Sequence, residues 1–419
     1  MDLSIEQSCP SCGAPIELHE ADRLITCPFC DVGNYLVSSG VSRYVLPDKA
    51  PESVAREDII YAPYLRFKGA IFSCQGKTVE DRVVDTTHQG GGIPCLPVSL
   101  GLRPQAMKIL PVAGALTGRF FQQTEKTVTL FTRATSQASL FSANESTEPL
   151  YHRAFIGETI SCIYLPLYLQ EGTLYDAVLN RPLGKRGEAI ADLMLQAMPG
   201  DPAWAPRFLA TICPHCAETL SGEPDSLVLS CPNCESLWAE NEGAFQPVSW
   251  QILTTKRAGG DHLYLPFWKI RPAVAGLSLA SFGDFLRLTN QPMVVTRKHD
   301  ALDFCFWVPA FKIRPNSFLQ LAKSMTISQM RITTGSTDMA DMMYPVTLPS
   351  SEAVQSLKAL LSDMVMDKRH FLPRLPSITL QARQTGLVYL PFTSSGHDLV
   401  QEHTTVSVAS SVLQFGRKL

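Results

Sequence analysis

Hydrophobic and polar residues alternate with a period of two in several segments of this chain, and such alternation predicts β-strands. The first segment is 61–68, Tyr-Ala-Pro-Tyr-Leu-Arg-Phe-Lys, and the second is 264–271, Tyr-Leu-Pro-Phe-Trp-Lys-Ile-Arg. Successive side chains of a strand point to opposite faces, so we expect half-buried strands with their Arg and Lys residues in solvent. Each proline lacks an N–H group and is expected at a strand start, an edge or a bulge.

These two segments stand 203 residues apart, and further matches follow in the same order along the chain. Leu96-Pro97-Val98 leading to Arg103-Pro104 resembles Val308-Pro309-Ala310 leading to Arg314-Pro315, and segment 163–167, Ile-Tyr-Leu-Pro-Leu, resembles segment 388–392, Val-Tyr-Leu-Pro-Phe. Ordered matches of this kind indicate an internal duplication. We therefore predict an α+β, mainly β protein made of two related halves that divide near residue 205.

Few segments have helical periodicity. Residues 351–366 place apolar side chains at helical spacing after Pro349-Ser350, and residues 187–198 do so before Pro199-Gly200. The latter helix is expected to connect the halves. Pro-rich stretches at 40–58 and 199–211 are predicted linkers, and 134–150 is a predicted polar loop.

A four-cysteine signature occurs twice, with fourteen residues between its two Cys-Pro-x-Cys motifs each time and a constant shift of 204. The eight residues are Cys9, Cys12, Cys27, Cys30, Cys213, Cys216, Cys231 and Cys234. Two such motifs can hold one metal ion with four thiolates in a tetrahedron, and this leaves no coordination position for water or substrate. We therefore predict two structural metal sites rather than catalytic ones.

About 25 residues around each signature resemble zinc ribbons, and more distantly rubredoxins. The resemblance implies two structural Zn²⁺ ions per chain. Iron, as in rubredoxins, is the alternative, but no flavin or haem signature accompanies the motifs, which favours zinc. The expected organisation is a zinc ribbon at 1–39, a β-rich domain at 40–183, a helical linker at 184–211, a second ribbon at 212–247 and a second β-rich domain at 248–419 with a helix near 351–366.

Composition adds a prediction about partners. Charged residues make up 18% of the chain, against a typical value of about 25%. A weakly charged surface favours contact with a partner protein, with another copy of the chain or with a large complex. The net charge of −3 argues against dedicated nucleic-acid binding.

The N-terminal residues lack the pattern of a secretory signal, and no apolar run is long enough for a transmembrane segment, so we expect a cytoplasmic protein. Reduced thiols suit that compartment. The remaining cysteines, Cys74, Cys95, Cys162 and Cys305, are expected in the core.

A repeated Lys-Ile-Arg-Pro sequence suggests a candidate interaction surface. If residues 268–272 and 311–315 form neighbouring strands, Lys269, Arg271, Lys312 and Arg314 make a basic ladder, with a weaker version at Arg66, Lys68 and Arg103. Such a ladder could engage phosphate, lipid headgroups or an acidic protein surface. A solvated outer face of a sheet is the alternative.

No motif for a nucleophile, a catalytic base or a catalytic metal is present in the sequence. The expected function is a non-catalytic scaffold or adaptor that mediates protein–protein interaction. The alternative is a nucleic-acid-binding zinc-ribbon protein of transcription or RNA processing. An enzyme with a site between the halves, or a membrane-surface recruitment factor, is a further possibility, and a deep cleft with perturbed titratable groups would favour the enzyme.

Overall fold

Strands dominate the structure, and the longer helices lie in the second half. A computed structural model describes residues 3–37, 40–112, 116–124, 148–185, 194–253, 262–330, 335–340, 342–404 and 406–416. The predicted loop at 134–150 lies mainly outside the described residues, and so does most of the helix predicted at 187–198.

Within the described residues, the first half contains the short helix α1 (Arg103–Ala106), and residues 194–195, at the described end of the helix predicted over 187–198, are helical as well. The strands are β1 (Ser4–Ser8), β2 (Pro15–His19), β3 (Leu24–Thr26), β4 (Gly33–Leu36), β5 (Ser42–Val45), β6 (Ile60–Gln75), β7 (Thr78–Gln89), β8 (Lys108–Pro111), β9 (Arg119–Phe120), β10 (Leu150–Gln170), β11 (Thr173–Asp176), β12 (Arg181–Lys185), β13 (Met198–Pro199) and β14 (Phe208–Ala210).

The described part of the second half contains six helices and ten strands. The strands are β15 (Val228–Ser230), β16 (Leu237–Asn241), β17 (Ala244–Pro247), β18 (Trp250–Leu253), β19 (His262–Ala275), β20 (Phe306–Pro309), β21 (Gly335–Ser336), β22 (Thr379–Ser395), β23 (Asp398–Gln401) and β24 (Ser407–Ala409). The helices are α2 (Phe282–Thr289), α3 (Arg297–Asp300), α4 (Pro315–Ser328), α5 (Ser350–Met364), α6 (Lys368–Phe371) and α7 (Ser410–Gly416). Helix α5 confirms the helix predicted near 351–366.

One topology occurs in both halves. The long antiparallel pair β6–β10 is the centre of the first sheet, and β19–β22 is the centre of the second. Strand β5 lies parallel to β10, and β18 lies parallel to β22. The hairpin β11–β12 extends from β10 as β23–β24 extends from β22. The predicted α+β, mainly β fold with an internal duplication is confirmed.

The central pairs also share their register. Pro63 lies opposite Tyr164, and Pro266 lies opposite Tyr389. These prolines lie inside their strands, not at the predicted starts, but each falls where the neighbouring β7 or β20 stops pairing. The Pro63 carbonyl accepts the N–H of Gly90, just past the end of β7. The missing N–H points to that same side and costs no ladder hydrogen bond.

One of the predicted sequence matches between the halves is wrong in its first part, which pairs residues 96–98 with residues 308–310. Val308 and Pro309 belong to β20, whereas segment 96–98 lies in no strand. Gly90 donates to the carbonyl of Pro63 as Ala310 donates to that of Pro266, so the counterpart of β20 is the end of β7. The second part of this match does correspond structurally, because Arg103-Pro104 and Arg314-Pro315 each stand at the start of a helix.

Strand β6 is buried on both faces, so the predicted solvated face is wrong for the first half, whereas Lys269 and Arg271 of β19 in the second half are partly exposed. In β6, Ile60, Ala62 and Tyr64 belong to one hydrophobic cluster, and Tyr61 and Leu65 belong to another on the opposite face. The periodicity of two is present, but an apolar layer covers each face of the sheet. Period-two sequence alone could not distinguish a solvated face from a covered one.

The two halves share one core. Helix α5 of the second half packs on β6 and β10 of the first half. Phe72 and Cys74 lie in the same hydrophobic cluster as Leu357 and Leu361 of α5. The aromatic rings of Phe72 and Phe318, one from each half, have centroids 6.0 Å apart. The division near residue 205 therefore separates two sequence repeats, but these repeats pack together as one body.

Each cysteine signature is built on a three-stranded sheet. We call residues 3–37 the first cysteine module and residues 212–247 the second. The second sheet, β15–β16–β17, uses strands from within its own module. The first sheet, β3–β4–β14, takes its third strand from Phe208–Ala210. The segment expected as a helical linker at 184–211 thus contributes a strand to the first module, and Ser42–Val45 in the other expected linker pairs with β10.

Candidate metal centres and the cleft between the halves

The eight signature cysteines form two groups of four sulfur atoms at metal-binding distance, with all sulfurs of a group within 4.8 Å of one another. In the first group the Sγ atoms of Cys9 and Cys30 are 3.9 Å apart and those of Cys12 and Cys27 are 3.7 Å apart. The corresponding pairs of the second group are 3.7 and 3.4 Å apart. A tetrahedral ion with metal–sulfur bonds of about 2.3 Å needs sulfurs about 3.8 Å apart, so both groups fit one metal ion.

The backbone places the sulfurs in the same way at all four motifs. The first cysteine accepts, through its carbonyl, the N–H of the residue four positions later, which has a positive φ. Those residues are Gly13, Asp31, Ala217 and Glu235, with φ between 51° and 78°. The left-handed residue turns the chain back, and the N–H of the first cysteine bonds to the carbonyl five positions later. Both cysteine side chains then point to one side of the turn.

Polar groups next to the sulfurs support thiolate ligands. The backbone N–H of Cys12, with that of Ser11, lowers the pKa of Cys9 to about 6. In the second module the indole N–H of Trp238 donates to the hydroxyl of Ser236, 2.8 Å away, and this hydroxyl lies 2.9 Å from the sulfur of Cys234. Such neighbours orient a metal ligand and stabilise its charge. His215 is not part of either sulfur group.

The two cysteine modules pack directly against each other. The N–H groups of Arg23 and Leu24 donate to the carbonyl of Pro224, at 2.6 and 2.8 Å. The hydroxyl of Tyr35 donates to the carbonyl of Ser226, and its ring contacts Phe245 edge to face. Tyr35 also lies in one hydrophobic cluster with Cys213 and Trp238, so the two modules share part of their core, and no pattern in the sequence indicated these contacts.

A cleft of about 730 Å³ opens where the cysteine modules meet the β-rich halves. Positions that are equivalent in the two modules, by the shift of 204, line this same cleft. The equivalent pairs are Ala21 and Asp225, Arg23 and Leu227, Tyr35 and Ala239, and Val37 and Asn241. The packing of one duplicated module on the other therefore builds the cleft, and we call it the central cleft.

The floor of the central cleft contains charged groups from both halves. Burial raises the pKa of Glu352 to about 7, although the nearby Lys312 opposes the shift. Burial also raises the pKa of Glu158 and lowers that of Lys312. The carboxylate of Glu352 accepts the backbone N–H groups of Gly157 and Glu158, which stand at an irregularity of β10. This contact fastens α5 to the first half.

The candidate interaction residues of the first half are buried. Arg66 has 0% of its surface exposed and pairs with Glu20 and with Asp85, whose oxygens lie 2.9 Å from its guanidinium nitrogens. Glu20 also accepts the hydroxyl of Ser161 at 2.8 Å. Lys68 is buried as well. Arg66 thus links the first cysteine module to the central sheet and offers no surface to a partner.

The four basic residues of the second half do not form the predicted ladder. Lys269 and Arg271 lie on β19, but residues 311–314 lead from β20 into α4 and form no strand. Lys312 lines the central cleft, and Arg314 is exposed at the start of α4. The repeated Lys-Ile-Arg-Pro sequence is therefore not a structural repeat, because Pro315 begins a helix whereas Pro272 continues a strand.

Sequence reasoning missed Glu352, Glu158 and Arg23 as cleft residues. Glu352 stands in the first turn of a helix, where acidic residues are common, and Glu158 belongs to no recognisable sequence motif. These residues come together because the two halves pack against each other, and neither the periodicity nor the composition of the sequence indicates that packing. Among the other cysteines, Cys74, Cys162 and Cys305 are buried as expected, but Cys95 is exposed.

Comparison with known proteins gives no relative: no protein-family model, curated protein or solved structure matches this chain. Among the described residues, no helix combines the length and the apolar character needed to cross a membrane.

Proposed function

We propose that the protein is a non-catalytic, cytoplasmic scaffold whose two cysteine modules are zinc ribbons, and that it holds a protein partner in the central cleft as part of a larger complex. The observation that carries this proposal is the shared lining of the central cleft by equivalent positions of both modules. Two rigid, metal-stabilised modules that build one cleft are suited to positioning a bound chain.

Zinc is the metal that suits the two sulfur groups best. Four thiolates at tetrahedral spacing are the ligand set of structural zinc, and a closed site gives no access to water or substrate. Iron in the same set would be coloured and redox-active, so metal analysis and an absorption spectrum of the purified protein distinguish the two. Two equivalents of zinc and no visible absorption are expected.

Charge supports a peptide segment as the occupant of the central cleft. The lining includes Arg23 and Arg207 as well as the exposed Glu242, so a partner segment with both charge signs finds opposite charges within one cleft. Complementary charges favour a specific register and suppress wrong partners. A volume of about 730 Å³ accommodates several side chains of such a segment.

Site-specific photocrosslinking in cells tests this function. A photoreactive amino acid replaces Asn241, an exposed residue of the central cleft, and in the control it replaces Val294, which is 83% exposed and lines no described cleft. We expect a discrete protein adduct from position 241 alone, and peptide mapping identifies the partner. Equal adducts at both positions, or none at position 241, would overturn the proposal.

One observation favours an enzyme with its site in the same cleft, namely the pKa of Glu352 of about 7 beside Lys312. The variant Glu352→Gln separates this candidate from the scaffold. An amide oxygen still accepts the N–H groups of Gly157 and Glu158, so a scaffold keeps its crosslinked partner. A general acid or base would lose a rate factor of about 10²–10⁴ and with it the cellular function.

A further inference from the structure

A second cleft, of about 600 Å³, lies in the second half beside β19 and β22. It shares no lining residue with the central cleft. Its wall includes two basic residues of β19, Lys269 and Arg271, and two tryptophans, Trp250 and Trp307. We call it the second-half cleft.

The cationic groups of the second-half cleft are incompletely neutralised. Arg271 pairs with Asp303 at 2.5 Å. Lys269 makes no ion pair with any residue that the structure describes, and its ammonium lies 5.5 Å from the ring centroid of Trp307. Two cations and one carboxylate leave a net positive charge in a cavity walled by aromatic rings, where the charge is only partly screened by water.

Trp307 provides a second, independent observation. Its side chain is 0% exposed, and its indole N–H is buried with no hydrogen-bond partner. Most buried donors in proteins are paired, because a donor kept from water without an acceptor destabilises the fold. A ligand that brings an acceptor oxygen into this cleft would satisfy the donor.

The internal repeat shows what the same place holds in the first half. By the shared register, Lys269 is the counterpart of Arg66, and Trp307 is the counterpart of Thr87. The walls correspond as well, because Ser42, Arg43, Thr159 and Ile160 line a cleft of the first half where Ser249, Trp250, Gln384 and Thr385 line the second-half cleft.

In the first half, side chains of the protein itself occupy the position next to Arg66. Glu20, from the first cysteine module, inserts its carboxylate against Arg66, and Asp85 of β7 adds a second carboxylate. The counterpart of Asp85 by the same register is Cys305, and no carboxylate of the second module reaches Lys269 among the described residues. The first half therefore carries its own anion, and the second half has an open cleft of larger volume in its place, about 600 against about 250 Å³.

We infer that the second-half cleft binds the carboxylate or phosphate group of a small molecule, in the position relative to Lys269 that the carboxylates of Glu20 and Asp85 take relative to Arg66. Lys269 supplies the charge, Arg271 adds a second cation at the entrance, and the indole N–H of Trp307 donates to an oxygen of the anion. The apolar ring of Trp250 contacts the remainder of the ligand.

Isothermal titration of the full-length, metal-loaded protein tests this inference, with citrate and inorganic phosphate as probes and glycerol as the neutral control. We expect saturable binding of at least one anion, weakened by added salt. Lys269→Gln should lower the affinity at least about tenfold, the change that the loss of one charge-assisted hydrogen bond gives. Lys269→Arg should keep it. The matched control Lys298→Gln, on α3 and outside the cleft, should bind as the wild type does.

The two probes distinguish the anion class, since the tighter of citrate and phosphate indicates a carboxylate or a phosphoryl ligand. Trp307→Phe removes the N–H donor together with the five-membered ring of a fully buried side chain, so the unfolding midpoint and the metal content are measured beside the affinity, and binding should weaken several-fold in the folded, metallated variant. The inference is overturned if neither anion saturates below about 10 mM, or if Lys269→Gln, folded and metallated, binds as tightly as Lys298→Gln. Because the two clefts share no residue, neither result bears on partner capture at position 241.

Discussion

Asp176 and Gln401 occupy the same position in the two halves, and each caps the turn that follows its strand. Both are buried, at the ends of β11 and β23. The side-chain oxygen of each accepts the backbone N–H groups two and three residues ahead, at 2.8–3.1 Å. The repeat thus preserves a hydrogen-bonding role although one residue is charged and the other is an amide.

Replacement of either residue by alanine should destabilise the protein. Asp176→Ala and Gln401→Ala each leave two N–H groups of a turn without their acceptor, at a cost of about 2–5 kcal/mol. Asp176→Asn keeps the acceptor oxygen of the turn but places an NH₂ group where the other carboxylate oxygen accepts from Arg103 at 2.6 Å, so it should lose the Arg103 contact alone and cost less than alanine. Urea unfolding measures all three, and equal losses for Asp176→Ala and Asp176→Asn would contradict the capping role.

Loss of one cysteine ligand should remove one metal ion. Cys27→Ser is expected to lower the content from two zinc ions per chain to one, with the second module still metallated. Binding energies of about 10–16 kcal/mol in zinc-finger peptides make compensation by three ligands implausible. Cys231→Ser should remove the other ion, and Cys95→Ser, outside both sulfur groups, should remove neither. Mass-spectrometric metal analysis checks the count, and two zinc ions in Cys27→Ser would refute the ligand set.

The stability of the protein should depend on pH through Glu352. Its carboxyl keeps a proton up to about pH 7 in the folded state and loses it near the ordinary value of 4.5 in the unfolded chain. Between these values the folded state binds more protons, so the free energy of unfolding falls as the pH rises, by up to about 3 kcal/mol.

Glu352→Gln should remove this decline, and the stability of the variant relative to wild type should rise from pH 4.5 to 7. Lys312 and Glu158 face the same carboxyl and are present in both proteins. Any loss of metal at low pH affects both proteins alike and cancels in the difference. Parallel stability curves over this range would show that Glu352 titrates normally.

Unfolding should be a single transition for both halves. Phe72→Ala removes a ring that is 0% exposed and packs on Phe318 of the other half, at a cost of about 3–5 kcal/mol. Because the core is shared, fluorescence of the second half and release of metal from the first module should shift together. Val98→Ala, at a position that is 53% exposed and away from the contact between the halves, is the control, and separate transitions would argue for independent domains.

The elements that local pattern specifies were predictable. Period-two segments became β6, β19 and β22, the apolar spacing of 351–366 became α5, and the cysteine motifs became two sulfur groups. These signals lie within short windows of sequence. Arg66 illustrates what short sequence windows omit. Its burial depends on Glu20 of the first cysteine module, and a basic residue in a strand pattern does not indicate which other segment will pack over it.

The interpretation of Lys312 and Arg314 failed for a related reason. Identical residues in two places suggested identical structure, but the proline that follows begins a helix in one and continues a strand in the other. A proline fits both the first turn of a helix and the edge of a strand. The central cleft could not be foreseen because its lining residues lie in seven separate stretches of the chain, 21–37, 158–159, 207, 225–248, 268, 312 and 346–352, which only folding brings together.

The third strand of the first cysteine module, Phe208–Ala210, also determines when that module can be completed during synthesis. About 170 residues must be translated after Gly33–Leu36 before the strand exists. At about 5–20 residues per second this takes on the order of ten to thirty seconds. The nascent first module therefore waits with an unpaired sheet edge, and its sheet closes only as the second module leaves the ribosome. Completion of the first module's sheet is thus coupled in time to the synthesis of the second module, although all four cysteines of the first module are translated early.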